Sequence, residues 1–155
     1  MYKMSRRIIV DIISCLFIIL FLYTGIYKIL DYVHFFWALS KSPLLAHTYL
    51  LVGYTLPPIE VAVGLALLIP FFKEKPTFRK YGLYASAVLM TIFTVYIGYM
   101  LAFREDRPCT CGGIISQMNW HQHFYFNSLF TGLAILAIIL NKKETRLQNN
   151  NMSMA

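Results

Sequence analysis

The chain has 155 residues, of which 58% are hydrophobic and 14% are charged, and its formal net charge is +7. A soluble domain averages roughly 45–50% apolar and about 25% charged residues, so this composition excludes an ordinary soluble domain. The apolar residues collect in runs long enough to cross a bilayer, which needs about 20 residues. We therefore expect an all-α, polytopic membrane protein.

The hydrophobic runs predict four membrane-spanning helices. Because backbone groups in hydrocarbon must be hydrogen-bonded internally, runs of this length and apolarity form helices, and their spacing does not suit a barrel. In chain order, the predicted spans are residues 8–30, 48–72, 81–103 and 120–140. We expect one membrane domain, a four-helix bundle over residues 1–140, and a polar cytoplasmic tail over residues 141–155.

The basic residues predict the orientation of these spans. Ten of the 14 Lys and Arg residues lie in the N-terminal segment, the loop between the second and third spans, and the C-terminal tail. The positive-inside rule then places both termini in the cytoplasm. Residues 31–47 and 104–119 become outer loops, which face the periplasm if the membrane is the bacterial cytoplasmic (inner) membrane. Since the topology accounts for the positive charge, no nucleic-acid partner is expected. The expected partner is the lipid bilayer.

The sequence RPCTCGGIISQMNWHQH, at residues 107–123, carries the strongest chemical signal. Cys109 and Cys111 lie in the second outer loop, and the periplasm is an oxidising compartment. A disulfide between cysteines one residue apart closes a small, strained ring, and strained disulfides are labile. So short a bridge also removes little chain entropy and stabilises little. We interpret the pair as an exchangeable redox disulfide, with two ordinary loop thiols as the alternative.

The residues that follow the pair predict the start of the fourth span. Asn119 and Gln122 have the spacing of a capping box, and a helix N-terminus raises the thiolate fraction of nearby cysteines. His121 and His123 could exchange protons with the pair or with a bound quinone. Because they are two positions apart on a helix, they point to different faces, and at most one is expected to face the pair.

Two more residues of this helix are candidates for contact with a cofactor. Trp120 is expected at the membrane boundary, and Asn127, one turn after His123, can hydrogen-bond inside the bundle. A metal site is a competing interpretation, because zinc and copper favour Cys and His ligands. The C-x-C spacing is tighter than usual and two histidines in H-x-H diverge on one helix, so no metal is expected.

Glu60 is the remaining candidate site residue. It follows Pro57 and Pro58 and lies roughly 18 Å along the second span from Thr48, at about 1.5 Å per residue. An ionisable side chain near mid-membrane is costly and indicates a function by default. Two interpretations stay open: Glu60 hydrogen-bonds within the bundle, or it carries protons linked to redox chemistry.

Three polar residues of the first span receive structural interpretations. Asp11 is four residues after Arg7, a spacing that favours an ion pair between them. Lys28, near the outer end, could stabilise a thiolate across the bundle, but it is expected to extend its amine to the membrane surface instead. Cys15 lies in the cytoplasmic half of the span, where a thiol acts as a small apolar side chain.

Four segments resemble the MauE/DoxX-type redox-associated membrane proteins, and the MauE-like branch in particular. They are TGIYKILD, SPLL, LPPIE and, as the most specific, PCTCGGIISQMNWHQHFYFN. The resemblance runs from Ile8 to about Leu140 and implies a four-helix inner-membrane protein. The implied fold is similar to that of the quinone-linked disulfide-forming enzymes of the DsbB and vitamin-K-epoxide-reductase kind. In the methylamine utilisation system, the MauE family is associated with disulfide formation during maturation of the methylamine dehydrogenase.

The resemblance also implies that Cys109 and Cys111 are the redox pair and that His123 and Asn127 belong to the motif. DsbB-like enzymes relay electrons through two cysteine pairs, whereas this chain has one outward pair, and Cys15 cannot supply the second. Electrons then pass directly between the pair and a quinone, or a thioredoxin-like partner completes the relay.

We therefore expect an inner-membrane thiol–disulfide redox protein that exchanges with a periplasmic thioredoxin-like partner, with a quinone as the candidate cofactor. Its role would be disulfide formation or maturation of envelope proteins. A non-catalytic membrane subunit of a larger envelope complex is the alternative, followed by a Cys/His metal-handling protein. The expected catalytic residues are Cys109, Cys111, His123 and Glu60, and the expected cofactor contacts are Trp120, His121 and Asn127.

Overall fold

In the computed structural model, the chain is described over residues 2–73, 76–103 and 119–152, and these ranges contain helices and no strand. This confirms the predicted all-α fold class. In chain order the helices are α1 (Tyr2–Leu30), α2 (Tyr32–Lys41), α3 (Tyr49–Phe72), α4 (Pro76–Phe103) and α5 (Trp120–Met152).

Four of these helices are long and apolar enough to cross a membrane. The segments with that character are Arg6–Leu30, Tyr49–Phe72, Thr77–Phe103 and Trp120–Lys143. They confirm the four predicted spans, although the third begins earlier than expected and α5 continues past its span to Met152. That both termini lie on the cytoplasmic side stays a prediction.

The four long helices pack side by side around one core. Both α1 and α4 lie against α3 and α5, so that α1 and α4 are diagonal to each other. The core between them is apolar, and its fully buried side chains include Phe17, Phe21, Leu67 and Leu83. Because lipid tails are as apolar as these side chains, close packing and interhelical hydrogen bonds hold such helices together.

A glycine allows α1 and α3 to approach each other closely. A Cβ atom at Gly25 would lie 2.8 Å from Cγ2 of Val61 and 3.1 Å from the backbone oxygen of Pro57. Small residues at helix contacts serve this purpose in membranes, where backbones must come near enough for dispersion contacts. The approach brings the last turns of α1 beside the middle of α3, where Lys28 meets Glu60.

The first outer segment differs from the prediction. The sequence predicts a loop over residues 31–47, but most of this segment forms the helix α2. Its buried side chains are Phe35, Ala38 and Leu39, at the three- and four-residue spacing of an amphipathic helix. The helix has 10 residues, which is too short to cross a bilayer, since crossing needs about 20. It therefore folds onto the ends of the long helices.

Two contacts fix α2 on the long helices. The ring of Phe36 fills the space beside Gly53 of α3, where a Cβ atom would lie only 2.5 Å from the ring. Ser42, the residue that ends α2, shares a hydrogen bond of 2.9 Å with the hydroxyl of Tyr96 in α4. The helix is thus attached to both α3 and α4 at the end of the core where α3 begins.

An ion pair joins the helices at the opposite end. Arg79 of α4 donates a 2.6 Å hydrogen bond from Nη2 to Oδ1 of Asp11 in α1. The local spacing of Asp11 with Arg7 did not predict this contact, because it connects helices that are far apart in sequence.

Candidate functional site

The Cys-x-Cys pair lies outside the described residues, since Cys109 and Cys111 fall in the segment 104–118. The structure describes the residues on either side of that segment: Phe103 is the last residue of α4, and Asn119 precedes α5. Of the predicted site residues in the described part, Glu60, His123 and Asn127 border a single cavity.

The first turn of α5 is held by the predicted capping box. The side-chain Oδ1 of Asn119 accepts a 2.8 Å hydrogen bond from the backbone N–H of Gln122. In return, Oε1 of Gln122 accepts a 3.1 Å bond from the backbone N–H of Asn119. The reciprocal bonds satisfy two backbone donors that the helix leaves open, so they fix where α5 begins and which side chains its first turn presents inward.

The centre of the site is a buried ion pair between α1 and α3. The amine of Lys28 donates hydrogen bonds of 2.6 and 2.8 Å to Oε1 and Oε2 of Glu60. Lys28 is 5% exposed and Glu60 is 1% exposed. The expectation that Lys28 extends to the membrane surface is therefore wrong, because a carboxylate across the core offers a closer partner. Of the two interpretations of Glu60, hydrogen bonding within the bundle is observed.

Aromatic rings complete the surroundings of the Lys28 amine. Its Nζ lies 5.8 Å from the ring centroid of Phe35 in α2 and 5.7 Å from that of Phe93 in α4. Both distances are within the range of cation–π attraction. Four elements thus meet at this amine, since α2 and α4 supply the rings, α3 supplies the carboxylate, and α1 carries Lys28 itself.

The two histidines of α5 point to different faces, as their spacing predicts. His123 is buried and borders the cavity, whereas His121 is exposed. Asn127, one turn after His123, is also buried and donates a 2.9 Å hydrogen bond from Nδ2 to the backbone oxygen of His123. Trp120 is half-buried, and neither it nor His121 borders the cavity. Of the predicted site residues on α5, His123 and Asn127 thus border the cavity, and Trp120 and His121 do not.

The cavity lies among the four long helices and has a volume of about 300 Å³. Most of its wall is apolar, with side chains such as Leu20, Phe93 and Phe126. Its polar wall consists of Thr24, Lys28, Thr55, Glu60, Tyr96, His123 and Asn127. An apolar cavity with a few convergent polar groups is the usual form of a small-molecule site.

Sequence reasoning missed the part played by Lys28 and Thr24. A signal for Lys28 was present, because an ionisable residue inside an apolar span usually has a partner within the membrane. Thr24 gives no such signal, since a threonine in a helix can bond to its own backbone.

The metal interpretation involves Cys109 and Cys111, which lie outside the described residues. Across residues 2–73, 76–103 and 119–152, no three His, Cys, Asp or Glu side chains come together. Cys15, the cysteine in the described part, is exposed on α1. Chemically, the observed site can hold a polar group of a ligand by hydrogen bonds and can exchange protons through carboxylate, amine and imidazole.

Comparison with protein-family models gives a match over residues 6–140, to the family described as methylamine utilisation protein MauE. The chain belongs to the MauE family. This membership confirms the resemblance drawn from the four segments, and the match includes every residue of the cavity. No curated protein and no solved structure matches the chain. The MauE-family chain is therefore a membrane protein of four apolar helices whose chemistry has to be argued from its own residues.

Proposed function

We propose that this MauE-family protein is a thiol–disulfide redox protein of the bacterial cytoplasmic membrane. Cys109 and Cys111 form its working pair on the periplasmic side and exchange disulfides with a thioredoxin-like partner. The product of this exchange is a disulfide in the partner, for use in the formation or maturation of envelope proteins.

The observation that carries the proposal is the polar cluster next to the start of α5. His123 is four residues after Asn119, about 6 Å along the helix at 1.5 Å per residue, and it borders the cavity that contains Lys28 and Glu60. Cys111 is eight residues before Asn119, and eight residues of chain extend at most about 28 Å. The pair is thus tethered by at most about 28 Å of chain to the start of α5, the helix that carries His123.

The exchange itself is a balanced transfer of two electrons. A thiolate of the partner attacks one sulfur of the Cys109–Cys111 disulfide, which forms a mixed disulfide and releases the other cysteine as a thiolate. The partner's second thiolate then attacks the mixed disulfide. The partner leaves with a new disulfide, and Cys109 and Cys111 are left as a dithiol after taking up two protons.

A membrane quinone is the proposed oxidant that returns the dithiol to the disulfide. A quinone takes up two electrons and two protons when it is reduced to the hydroquinone. The residues that fit it are Lys28 and Asn127, which can hydrogen-bond to its oxygens, and Glu60 and His123, which can hold or pass protons near them. The aliphatic and aromatic remainder of the cavity suits an apolar ring.

Trapping the mixed disulfide tests the redox proposal. In cells, Cys109→Ala and Cys111→Ala are each expected to leave one thiol that cannot complete the exchange. One of these two variants should then accumulate a mixed disulfide with an envelope protein, visible on a non-reducing gel and lost on reduction. Cys15→Ala is the matched control, since Cys15 is exposed on α1, and it should give no such adduct.

Three outcomes would overturn the redox proposal. The first is the absence of a mixed disulfide in both single variants, together with unchanged thiol status of envelope proteins in the double variant. The second is stoichiometric zinc or copper that is lost in the cysteine variants, which would favour a metal-handling protein. The third is a stable complex that forms regardless of the cysteines, which would favour a non-catalytic subunit.

The proposed orientation has its own test. A membrane-impermeant maleimide added to intact, reduced cells should label Cys109 and Cys111 from the periplasmic side. Labelling only after the membrane is permeabilised would place the pair in the cytoplasm and would contradict the orientation derived from the basic residues.

A further inference from the structure

The cavity is closed at its outer end by α2. Phe35 and Leu39 of this helix form part of the cavity wall, and both are buried. The hydrogen bond between Ser42 and Tyr96 holds the end of α2 against α4. In the described part of the chain, α2 thus covers the cavity on the side of the outer loops.

The same cavity has an exposed border at the level of the bilayer. Most residues of its wall are buried or half-buried. Three are exposed on the outside of the group of long helices: Thr55 and Ile59 of α3, and Ile92 of α4. Ile59 is 46% exposed and Ile92 is 56% exposed. All three lie well inside segments that are apolar enough to span the membrane. The cavity therefore opens sideways, between α3 and α4, toward the hydrocarbon of the bilayer.

Several polar groups of the wall have capacity for further hydrogen bonds. Lys28 uses its amine on the two oxygens of Glu60, and an ammonium has three donors. The Thr24 hydroxyl, the His123 ring and Oδ1 of Asn127 make no hydrogen bond with the residues that the structure describes. Thr24, His123 and Asn127 are 6%, 5% and 3% exposed. These groups face the cavity, where they can form hydrogen bonds with a bound ligand.

The charges of the site select among partners. Lys28 and Glu60 compensate each other, so the pair offers no net positive charge to an anion. A ligand carboxylate would bring a second negative charge next to Glu60, and like charges at close range repel. A neutral head group with carbonyl or hydroxyl oxygens can instead use the free donors and acceptors without adding charge.

We propose that this cavity binds a neutral, membrane-soluble molecule with a small carbonyl- or hydroxyl-bearing head, which enters from the bilayer between α3 and α4. The head lies against Thr24, Lys28, His123 and Asn127. A volume of about 300 Å³ is at the lower end for ligand pockets, about 300–1,000 Å³, so it accepts the head while an apolar tail extends through the opening. This inference rests on the quinone site of the proposed function and adds to it the charge of the head group and the route of entry. The thiol–disulfide exchange of Cys109 and Cys111 is a separate step, so the two can fail separately.

Photolabelling of the full chain in lipid nanodiscs tests the site and its entrance. The probe is a decyl-benzoquinone that carries a photoreactive azide, and the readout is the rate of labelling and the labelled peptides. Wild-type protein should be labelled in α1, α3 and α4. Ile92→Trp places an indole in the opening and is expected to slow labelling about tenfold. Val88→Trp is the matched control, because Val88 is exposed one turn away on α4 and does not border the cavity.

A second variant tests the polar end of the site. Thr24→Val keeps the shape of the side chain and removes the hydroxyl, so the affinity for the probe should fall about two- to tenfold, the worth of one hydrogen bond. Competition by unlabelled decyl-benzoquinone, but not by palmitate, is expected from the balanced charges. A Cys109→Ala/Cys111→Ala protein should bind the probe as the wild type does, even if the redox proposal fails.

Each contrary result overturns the inference. Equal labelling of the Ile92→Trp and Val88→Trp proteins would exclude the entrance between α3 and α4. An absence of specific labelling in the wild type would mean that the cavity holds water only. Competition by palmitate as effective as that by the quinone would contradict the neutral head group.

Discussion

Removing one member of the buried pair at a time gives the most direct test of the site. The Lys28→Met variant leaves Glu60 without its described hydrogen-bond donor, at a position where the carboxylate is 1% exposed. Glu60→Met leaves the amine of Lys28 without its carboxylate. The Lys28→Met/Glu60→Met protein removes both charges and fills the space with flexible apolar side chains.

The expected losses follow from the cost of an unpaired buried charge. Breaking a buried ion pair by removing one partner costs about 3–5 kcal/mol. A carboxyl group left without its partner can avoid the buried charge by binding a proton, which limits the loss. We therefore expect each single variant to lose about 3 kcal/mol in its free energy of unfolding, whereas the double variant should lose about 1 kcal/mol or less. The effects of the single replacements would then not add.

Reversible unfolding from mixed micelles by titration with sodium dodecyl sulfate measures these free energies. Ile29→Met is the matched control on the same helix, because Ile29 is 51% exposed, and its effect should stay within about 0.5 kcal/mol. A coupling energy of about 3 kcal/mol or more between the two positions is expected. Additive losses, or single variants as stable as the control, would refute the argument, since either result means that the pair does not form.

Three other replacements have defined outcomes. Gly25→Ala should destabilise the fold by about 1–3 kcal/mol in the same titration, because its Cβ would approach the Pro57 oxygen to 3.1 Å. Gly132→Ala meets nothing within 4 Å and should be neutral or stabilise by up to about 1 kcal/mol; equal effects would contradict the close contact of α1 and α3. Asn119→Ala removes the cap of α5 and should cost about 1 kcal/mol, seen as faster hydrogen exchange at the first-turn amides, whereas unchanged exchange would argue against the capping box. Asp11→Asn should lower the free energy of unfolding by about 1 kcal/mol or less, and the difference from the wild type should disappear in high salt, because Asp11 and Arg79 are only partly buried. A larger, salt-independent loss would contradict that estimate.

Local patterns predicted the features that depend on residues close together in the chain. The capping box joins Asn119 to Gln122, three residues apart, so the spacing alone contains the information. The four spans are equally local, because length and apolarity decide whether a helix can cross a bilayer. His121 and His123 diverge for the same reason, since the helical period fixes their relative directions.

The partner of Glu60 could not be derived in this way. Lys28 is 32 residues away in sequence, and their contact depends on how α1 and α3 rotate against each other. Gly25 allows that packing, but a lone glycine in an apolar run has no distinctive signal. The sequence does not predict α2, because a short segment between two spans favours a connecting loop, although Phe35, Ala38 and Leu39 carry a helical spacing.

The position of Lys28 also has a consequence for how the protein enters the membrane. An isolated lysine in the middle of an inserting helix costs about 2.5–3.5 kcal/mol, and α1 precedes α3 in the chain. Lys28 is two residues from the end of α1, so before α3 arrives its long side chain can reach the aqueous boundary. The amine then moves inward only when α3 brings Glu60 beside it. The order of synthesis and the burial of this charge are thus compatible, because the first span can insert alone and acquire its internal partner later.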